Sequence, residues 1–359
     1  MRRLHILIAC LLAPLSLLYC DGSPSTPVDA GADVAAPYTQ TLLDNARIGS
    51  DSNQPNFQAV TADVQLSGAP FASVHLVVDL TSTCFPWDQW KTDPPPSGQN
   101  WPASCDAFDR NFEMSLSDPA NPGAPALEIV RAITPFGGPE HIEQDVTDMF
   151  NAIGGGKRTF EVYVSTYSDS AGQVSGSAGG WNVSAHLDVT PGTPPRNVLS
   201  VASIVYDWFD TAASGQQQSF PFTLPPNTTS TTIEYRVTGH GGASDTSAAC
   251  IGPADEFCKR THNVFVDGNK IDGRVPWRQD CQKLCTTTDG GPFGSYCAEN
   301  PCGAPQSVQA PRANWCPGSE TPPFTYQPAL APGDHTFAFT ISSIMGQWRV
   351  SSTVYAFGD

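Results

Sequence analysis

The sequence predicts an all-β protein made of two antiparallel sandwich domains in tandem. Three observations favour this fold class: the chain has 359 residues, it contains 31 Gly and 33 Pro residues, and only 15% of its residues are charged. A chain of this length can form two domains with separate cores. Frequent Gly and Pro among Thr, Ser and Val residues indicate short strands joined by many turns.

The amino-terminal segment is predicted to lie outside both domains. A positively charged start precedes an apolar run that ends at Tyr19, and the pattern and length of this run are typical of an export signal over residues 1–20. Cys20 closes the run, so ordinary cleavage and lipid attachment at this cysteine both stay open. Residues 21–40 are predicted to form a flexible tether.

Strand-like runs recur through the rest of the chain. Each is bounded by Gly, Pro, Asn or Asp residues, as half-buried antiparallel strands require. The clearest runs are residues 74–80, 111–116, 159–164, 199–206, 232–237, 335–342 and 347–357. Only residues 143–153 indicate a short helix. A Pro-rich stretch at 191–197 is predicted to link a first domain (41–190) to a second domain (198–359).

The net charge of −17 argues against binding to nucleic acid or to an anionic membrane surface. After the signal region, no apolar stretch is long enough to cross a bilayer, so the mature protein is expected to be secreted, periplasmic or on the cell surface, and soluble or lipid-anchored at Cys20. No cofactor is predicted, and a monomer is expected.

Cysteines outside the signal region are expected to form disulfides, because the protein is expected to be exported. A zinc site is not indicated, because the spacing is irregular and no His lies at ligand distance within the cluster. The number of these cysteines is odd, so one thiol is left over unless Cys20 or another chain pairs with it. They are Cys84, Cys105, Cys250, Cys258, Cys281, Cys285, Cys297, Cys302 and Cys316.

Three segments beside cysteines concentrate acids, guanidinium groups and aromatic rings. They are Cys105-Asp106-Ala107-Phe108-Asp109-Arg110, Asp255-Glu256-Phe257-Cys258-Lys259-Arg260-Thr261-His262, and Arg312 followed by Asn314-Trp315-Cys316-Pro317-Gly318. Such groups suit acid–base chemistry. For any one segment alone, an ordinary turn with solvated acids and structural aromatic residues is the better interpretation.

Taken together, these segments resemble the peptide:N-glycanase F family. The resemblance also includes Gly239-His240-Gly241 and Cys297-x-x-Asn300-Pro301, it covers most of the chain from about residue 45, and it is densest over residues 237–318. It implies two eight-stranded antiparallel jelly rolls packed side by side, with the active site in the cleft between them. It also implies an amidase that cleaves the glycosyl-asparagine bond of N-glycoproteins or glycopeptides, releases the glycan and leaves aspartate.

The resemblance assigns roles to individual residues. It implies that Asp109 and Glu256 are catalytic and that substrate is contacted by Phe108, Arg110, Tyr167, Phe257, Arg312 and Trp315. It also implies the disulfides Cys84–Cys105, Cys250–Cys258 and Cys297–Cys316. In the hypothesis that follows, Asp109 activates water or attacks, and Arg110 lowers the pKa of Asp109. Glu256 and Arg312 orient water and bind sugar or amide, while Trp315 and Phe108 stack on sugars.

The sequence departs from the family in one important place. The family has Glu-Thr-Trp on a late strand of its first domain, where this chain has Ser165-Thr166-Tyr167. The family's glutamate helps to bind the core chitobiose, so the change implies an altered sugar preference or lost activity. Two further differences are a long loop with Trp87, Trp90 and Trp101, and the additional cysteines Cys281, Cys285 and Cys302, two of which are expected to pair locally.

Three other functions fit the sequence less well. A catalytically impaired glycan- or protein-binding module is the main alternative. A glycosidase that uses Asp109 and Glu256 is another, because spacing in sequence does not give separation in space. A copper monooxygenase is disfavoured because the seven His residues are scattered.

Overall fold

The computed structural model describes residues 35–84, 90–167, 169–242, 249–290 and 294–359. Within these ranges, nineteen strands and two short α-helices form, so the predicted all-β fold class is confirmed. The predicted signal peptide with Cys20, most of the tether, and Trp87 lie outside the described residues. No described helix is long and apolar enough to cross a membrane.

Eight strands form the first sandwich, and all of their pairings are antiparallel. One sheet has the order β1-β8-β3-β6, and the facing sheet has the order β5-β4-β7-β2. The strands are β1 (Tyr38–Gly49), β2 (Ala59–Leu66), β3 (Phe71–Thr81), β4 (Asn111–Ser117), β5 (Leu127–Ile133), β6 (Glu140–Asp145), β7 (Gly156–Val164) and β8 (Gly180–Pro191). β1 begins inside the range predicted as tether.

Eight further strands form the second sandwich. One sheet has the order β17-β11-β19-β9, and the other has the order β10-β18-β12-β13. The strands are β9 (Val198–Phe209), β10 (Gln218–Leu224), β11 (Ser230–His240), β12 (His262–Val266), β13 (Asn269–Arg274), β17 (Phe324–Tyr326), β18 (Gly333–Ile341) and β19 (Gln347–Phe357). The predicted linker at 191–197 lies between β8 and β9, and the domain boundary stays a prediction.

A segment inserted between β13 and β17 reaches across to the first sandwich. It contains a hairpin of β14 (Thr287–Asp289) and β15 (Ser295–Cys297), the helix α2 (Pro305–Gln309) and the short strand β16 (Ser319–Glu320). β16 pairs with β5 at the edge of the first sandwich. The insertion therefore joins the two sandwiches at one end.

Alternating burial explains why outer strands such as β3 form where they do. In β3 the side chains of Val74, Leu76, Val78 and Leu80 are fully buried, while the residues between them are more exposed. This period of two places one face of each strand in a core. One core contains residues from 42 to 189 with Tyr355 and Phe357 added, and the other contains residues from 204 to 356.

The helix predicted over residues 143–153 is shorter than expected. Residues 143–145 belong to β6, which pairs with β3, and helix α1 spans Thr147–Ile153. The helix begins after Asp145 because this carboxylate accepts hydrogen bonds from the backbone N–H and the hydroxyl of Thr147. It ends at Gly154, which has a positive φ of 65°.

The disulfide pattern corrects one expected bridge. Cys84–Cys105 and Cys250–Cys258 are paired as the resemblance implies. The expected Cys297–Cys316 bridge is wrong, because Cys316 bonds to Cys281 and Cys297 bonds to Cys285. A turn at Cys281–Leu284 brings both additional cysteines to these partners, with Cα–Cα distances of 5.2 and 4.4 Å. The expected local pair among the additional cysteines does not form, and Cys302 keeps a free thiol.

Candidate active site

A cleft of about 760 Å³ opens between the two sandwiches, and both contribute to its walls. From the first sandwich come Phe108, Asp109 and Arg110, which directly precede β4, and Tyr167, which follows β7. From the second come the β9 and β11 residues Trp208 and His240, together with Glu256. Glu256 lies on a single turn, Asp255–Phe257, that the Cys250–Cys258 disulfide closes.

The two predicted catalytic acids meet at one buried guanidinium group. Arg312 Nη2 lies 3.4 Å from Asp109 Oδ2, and Arg312 Nη1 lies 3.2 Å from Glu256 Oε1. The Arg312 side chain is 1% exposed, whereas those of Asp109 and Glu256 are 13% and 22% exposed. The structure therefore brings together two carboxylates that are far apart in sequence.

Arg312 is held from several sides. Its Nη2 donates hydrogen bonds to the carbonyl and the hydroxyl oxygen of Ser307 in α2. The rings of Phe257 and Trp315 lie 4.7 and 4.5 Å from its guanidinium carbon. These contacts fix the cation between the acids, and their planar faces favour a guanidinium group over an ammonium group.

The pKa of Asp109 is raised to about 7, contrary to the expectation that Arg110 keeps this pKa low. Burial is the largest cause, and the nearby Glu256 carboxylate also raises the pKa. Arg312 opposes the rise more than Arg110 does. Burial likewise raises the pKa of Glu256, against the opposing effects of Arg312 and the Gly241 N–H group. The two acids titrate as an interacting pair.

Arg110 is paired with another acid. Its Nε lies 3.1 Å from both carboxylate oxygens of Asp106, and the pair is almost fully buried. The Arg110 guanidinium carbon lies 4.1 Å from the ring centre of Tyr167 and 4.8 Å from that of Phe108. Because Tyr167 is 44% exposed, these three residues form a wall of the cleft that a ligand can reach.

The structure corrects the roles expected for two aromatic residues. Trp315 is 1% exposed, its indole N–H donates to Gly239 O at 2.7 Å, and its ring stacks on His240. It therefore offers no free face to a sugar and supports Arg312 instead. Phe257 packs against Arg312 and does not line the cleft. Ser165 lines the cleft, and its hydroxyl accepts the N–H of Asn111.

Trp208 is a cleft residue that sequence reasoning missed. It projects from β9, lies edge-on to His240 at 5.4 Å, and packs 5.4 Å from the guanidinium carbon of Arg349. The sequence signal that could have found it is the spacing of Tyr206 and Trp208, which places both aromatic side chains on one face of β9. Burial lowers the pKa of His240 to about 3, so this imidazole is neutral.

Buried charges behind the cleft connect the two sandwiches. Glu113 of β4 accepts hydrogen bonds from Arg349 of β19, and from Tyr206 and Asn111 at 2.5 Å each. Asn111 in turn lines the cleft. Next to this group, Glu128 pairs with Arg131 at 2.7 Å and with Arg236 of β11 at 3.2 Å. This network sets the position of one cleft wall relative to the other.

A known protein family matches the part of the chain that forms the second sandwich. Residues 209–355 match the family model described as peptide-N-glycosidase F, C terminal. Over these residues the chain resembles the C-terminal part of that family. The match covers the second sandwich from the end of β9, and it includes His240, Glu256, Arg312 and Trp315. The resemblance read from the sequence motifs is thus confirmed, while the part of each residue in a reaction stays a prediction.

Solved PNGase F-type structures share the architecture of the whole described chain. PNGF-II superposes with a TM-score of 0.68 at 17% identity, over 90% of this chain and 65% of that chain. This chain therefore spans about two thirds of the length of PNGF-II. PNGase F, a glycosylasparaginase from Flavobacterium meningosepticum, superposes with a TM-score of 0.63 at 17% identity, over 90% and 96% of the two chains.

The TM-scores of these two superpositions show a shared fold, and the low identities carry no statement beyond the fold. Recombinant PNGase F gives the same TM-score of 0.63, at 16% identity. No curated protein matches the chain by sequence. In the part of the chain that the structure describes, no group of three or more His, Cys, Asp or Glu side chains is placed to hold a metal ion.

Proposed function

We propose that this protein is an amidase that hydrolyses the bond between an N-linked glycan and its asparagine. One observation carries the proposal: Asp109 and Glu256, from different sandwiches, line one cleft and both contact the same buried Arg312. The family match and the shared PNGase F fold support a glycanase-type hydrolase.

The chemistry of the bond explains the need for these groups. The amide is resonance-stabilised and its glycosylamine leaves poorly, so hydrolysis needs an oriented water, a base and stabilisation of charge on the carbonyl oxygen. In the proposed reaction, Asp109 accepts a proton as the water oxygen attacks the amide carbon. The tetrahedral intermediate then expels the glycosylamine, whose nitrogen takes up the proton that Asp109 accepted. Arg312 stabilises negative charge, and Glu256 orients the water.

The wall of Phe108, Arg110 and Tyr167 is proposed to contact the sugar next to the asparagine. Trp208, across the cleft, offers a second aromatic surface. N-glycosylated proteins or glycopeptides are the proposed substrates, and the protein is proposed to act as a monomer. Its four disulfides support an exported location, and lipid attachment at Cys20 stays a prediction.

The test uses a denatured N-glycoprotein and mass spectrometry of its peptides. The expected result is release of the intact glycan together with the mass gain that conversion of asparagine to aspartate produces. Asp109→Asn should lower the rate at least about 10²-fold, the low end of what general-base help contributes. Asp118→Asn, at a partly exposed carboxylate remote from the cleft, is the control. A cut between sugars would instead identify a glycosidase.

One observation favours a second candidate, a non-catalytic glycan-binding module. Ser165 supplies only a hydroxyl group to the cleft wall, and this hydroxyl is already bonded to the backbone of Asn111. Saturable binding of a glycopeptide with no turnover in either the wild-type protein or Asp109→Asn would identify such a module.

A further inference from the structure

A second cleft lies where the sandwiches meet, and it shares no lining residue with the candidate active site. Its volume is about 410 Å³. Its walls come from the end of β6 and the start of α1, from Pro195 and Arg196, and from β11 and β19. We call it the junction cleft. Its volume lies within the range of about 300–1,000 Å³ that is usual for small-molecule sites.

Arg236 of β11 brings an unused donor to the junction cleft. Its side chain is 5% exposed, Nη1 donates to Glu128 at 3.2 Å, and Nη2 lies 3.5 Å from the carbonyl oxygen of Ile129. Its Nε has no hydrogen-bond partner among the described residues. Buried donors of this kind are normally satisfied, so the unpaired N–H group calls for an acceptor that water or a ligand can supply.

Two further polar groups line the same cleft. Glu234 lies two residues before Arg236 on β11 and therefore on the same face. Burial raises the pKa of Glu234, and the neighbouring Arg236 guanidinium opposes the rise. Tyr355 of β19 lies opposite Thr232 in the β11–β19 pairing and lines the cleft beside it. The cleft thus offers N–H and hydroxyl donors next to a carboxyl acceptor.

The charges of the junction cleft argue for a neutral ligand. Arg236 is paired with Glu128, and Arg196 is paired with Asp148 while it covers the ring of Phe357 at 4.4 Å. Neither cation is free to attract an anion. Asp145, Asp148 and Glu234 among the lining residues would repel an anion further.

We propose that the junction cleft is a second binding site for a neutral sugar unit of an oligosaccharide. Sugar hydroxyls donate and accept hydrogen bonds at once, which matches the alternation of Arg236 Nε, Glu234 and the Tyr355 hydroxyl. On a protein that acts on glycans, a second sugar site raises the effective concentration of the glycan at the first site. The inference rests on the geometry of this cleft and stands whether or not the protein is an amidase.

The experiment titrates the isotope-labelled full chain with N,N′-diacetylchitobiose and, separately, with mannobiose, and follows backbone amide signals by NMR. Saturable shifts are expected at residues 232–236 and 355–357 for at least one probe, apart from any shifts at the candidate active site. The same titration with sodium sulfate is expected to leave these signals unchanged.

Two variants locate the binding, each with a matched control. Glu234→Ala should weaken binding at the junction cleft about tenfold or more, because a charge-assisted hydrogen bond is lost, while Glu161→Ala, at an exposed glutamate of β7, should not. Thr232→Trp should fill the cleft, and Thr223→Trp, at an exposed residue of β10, is its control. Cleavage of a short glycopeptide should be unchanged in all four variants.

Three outcomes would overturn the inference. In the first, neither sugar shifts signals in the junction cleft. In the second, Glu234→Ala, shown to be folded by circular dichroism, binds both probes as the wild-type protein does. In the third, sulfate saturates the same signals, which would identify an anion site. Loss of glycopeptide cleavage in Asp109→Asn tests the proposed amidase separately and does not bear on these signals.

Discussion

The carboxyl group of Asp109 changes between its neutral and its charged form near neutral pH. Burial and the neighbouring Glu256 raise its pKa to about 7, although Arg312 opposes them. Since the proposed reaction needs ionised Asp109, kcat/KM on a glycopeptide should rise as the pH increases through about 7. A pH series of initial rates measures this rise, and an inflection near the ordinary carboxyl pKa of about 4 would contradict it.

Arg312→Gln tests the cause of this inflection. Removal of the cation takes away the largest opposing effect on Asp109, so the inflection should move to higher pH and the rate at neutral pH should fall. Arg278→Gln is the comparison, because Arg278 pairs with Asp280 and its backbone bonds to Arg312. An unchanged inflection in Arg312→Gln would show that this guanidinium does not control Asp109.

Glu140 is another buried acid with a raised pKa, and we expect it to affect the stability of the protein. Neither carboxylate oxygen has a hydrogen-bond partner among the described residues. Burial raises the pKa of Glu140 well above its usual value, and repulsion from Glu320 is a smaller cause of the same rise. A carboxyl group with a raised folded-state pKa contributes stability below its unfolded pKa and loses that contribution as the pH rises toward the folded value.

Glu140→Gln should therefore stabilise the protein at pH values above about 7 by about 1 kcal/mol or more, and should have little effect near pH 4. The free energy of unfolding from urea titrations at both pH values measures the difference. Glu161→Gln, at an exposed position, should change stability at neither pH. A variant that is less stable than the wild-type protein at the higher pH would count against the assignment.

Residues differ in how well the sequence could predict them. Asp109 and Glu256 could be proposed as site residues because each lies in a short motif beside a cysteine that resembles a motif of a known family. Such motifs can be recognised in a few consecutive residues. The role of Trp315 was wrong, and the effect of Arg110 on the pKa of Asp109 was overestimated, because both depend on which way a side chain turns. Arg110 turns to Asp106, and Trp315 turns into the second sandwich.

At the scale of elements, the strands were predictable and the inserted segment was not. Alternation of apolar and polar residues makes β3 and β7 visible in the sequence. The segment between β13 and β17 has little regular structure, so its course depends on its disulfides, and their pairing cannot be deduced from cysteine spacing alone. For this reason the Cys281–Cys316 and Cys285–Cys297 bridges were missed.

These two bridges should differ in their effect on activity. Cys281–Cys316 is adjacent in sequence to Trp315, which packs on Arg312, whereas Cys285–Cys297 closes a loop around the β14–β15 hairpin. Replacement of either pair by serine should cost about 2–4 kcal/mol of stability. Only loss of Cys281–Cys316 should also lower kcat/KM on a glycopeptide strongly at a temperature where both variants are folded. Equal losses of activity would contradict this division.

At the scale of the whole molecule, the family resemblance implied two sandwiches side by side with a cleft between them, but no sequence pattern indicated which residues would join them. The buried charges of β4 and β5 face those of β11 and β19. In the sequence, each of these strands looks like a strand whose polar side chains face solvent. Only the packed structure shows that Glu113, Glu128, Arg131, Arg236 and Arg349 lose their solvent together. Since both cleft walls depend on this packing, the junction and the candidate site are one structural unit.

The Glu113–Arg349 pair provides the test of this unit. Glu113→Gln leaves the buried Arg349 without its carboxylate partner, so it should destabilise the protein by about 3–5 kcal/mol. The double variant Glu113→Leu with Arg349→Met should recover most of this loss, because it removes both buried charges.

Urea titrations of Glu113→Leu, Arg349→Met and the double variant measure the interaction between the residues, and glycopeptide cleavage reports on the cleft. The single variants should lose activity in parallel with stability, because Asn111, which lines the cleft, is hydrogen-bonded to Glu113. If Glu113→Gln costs no more than the exposed Glu161→Gln, the network does not hold the sandwiches together. In that case the apolar contacts of Tyr355 and Phe357 with the first core must do so.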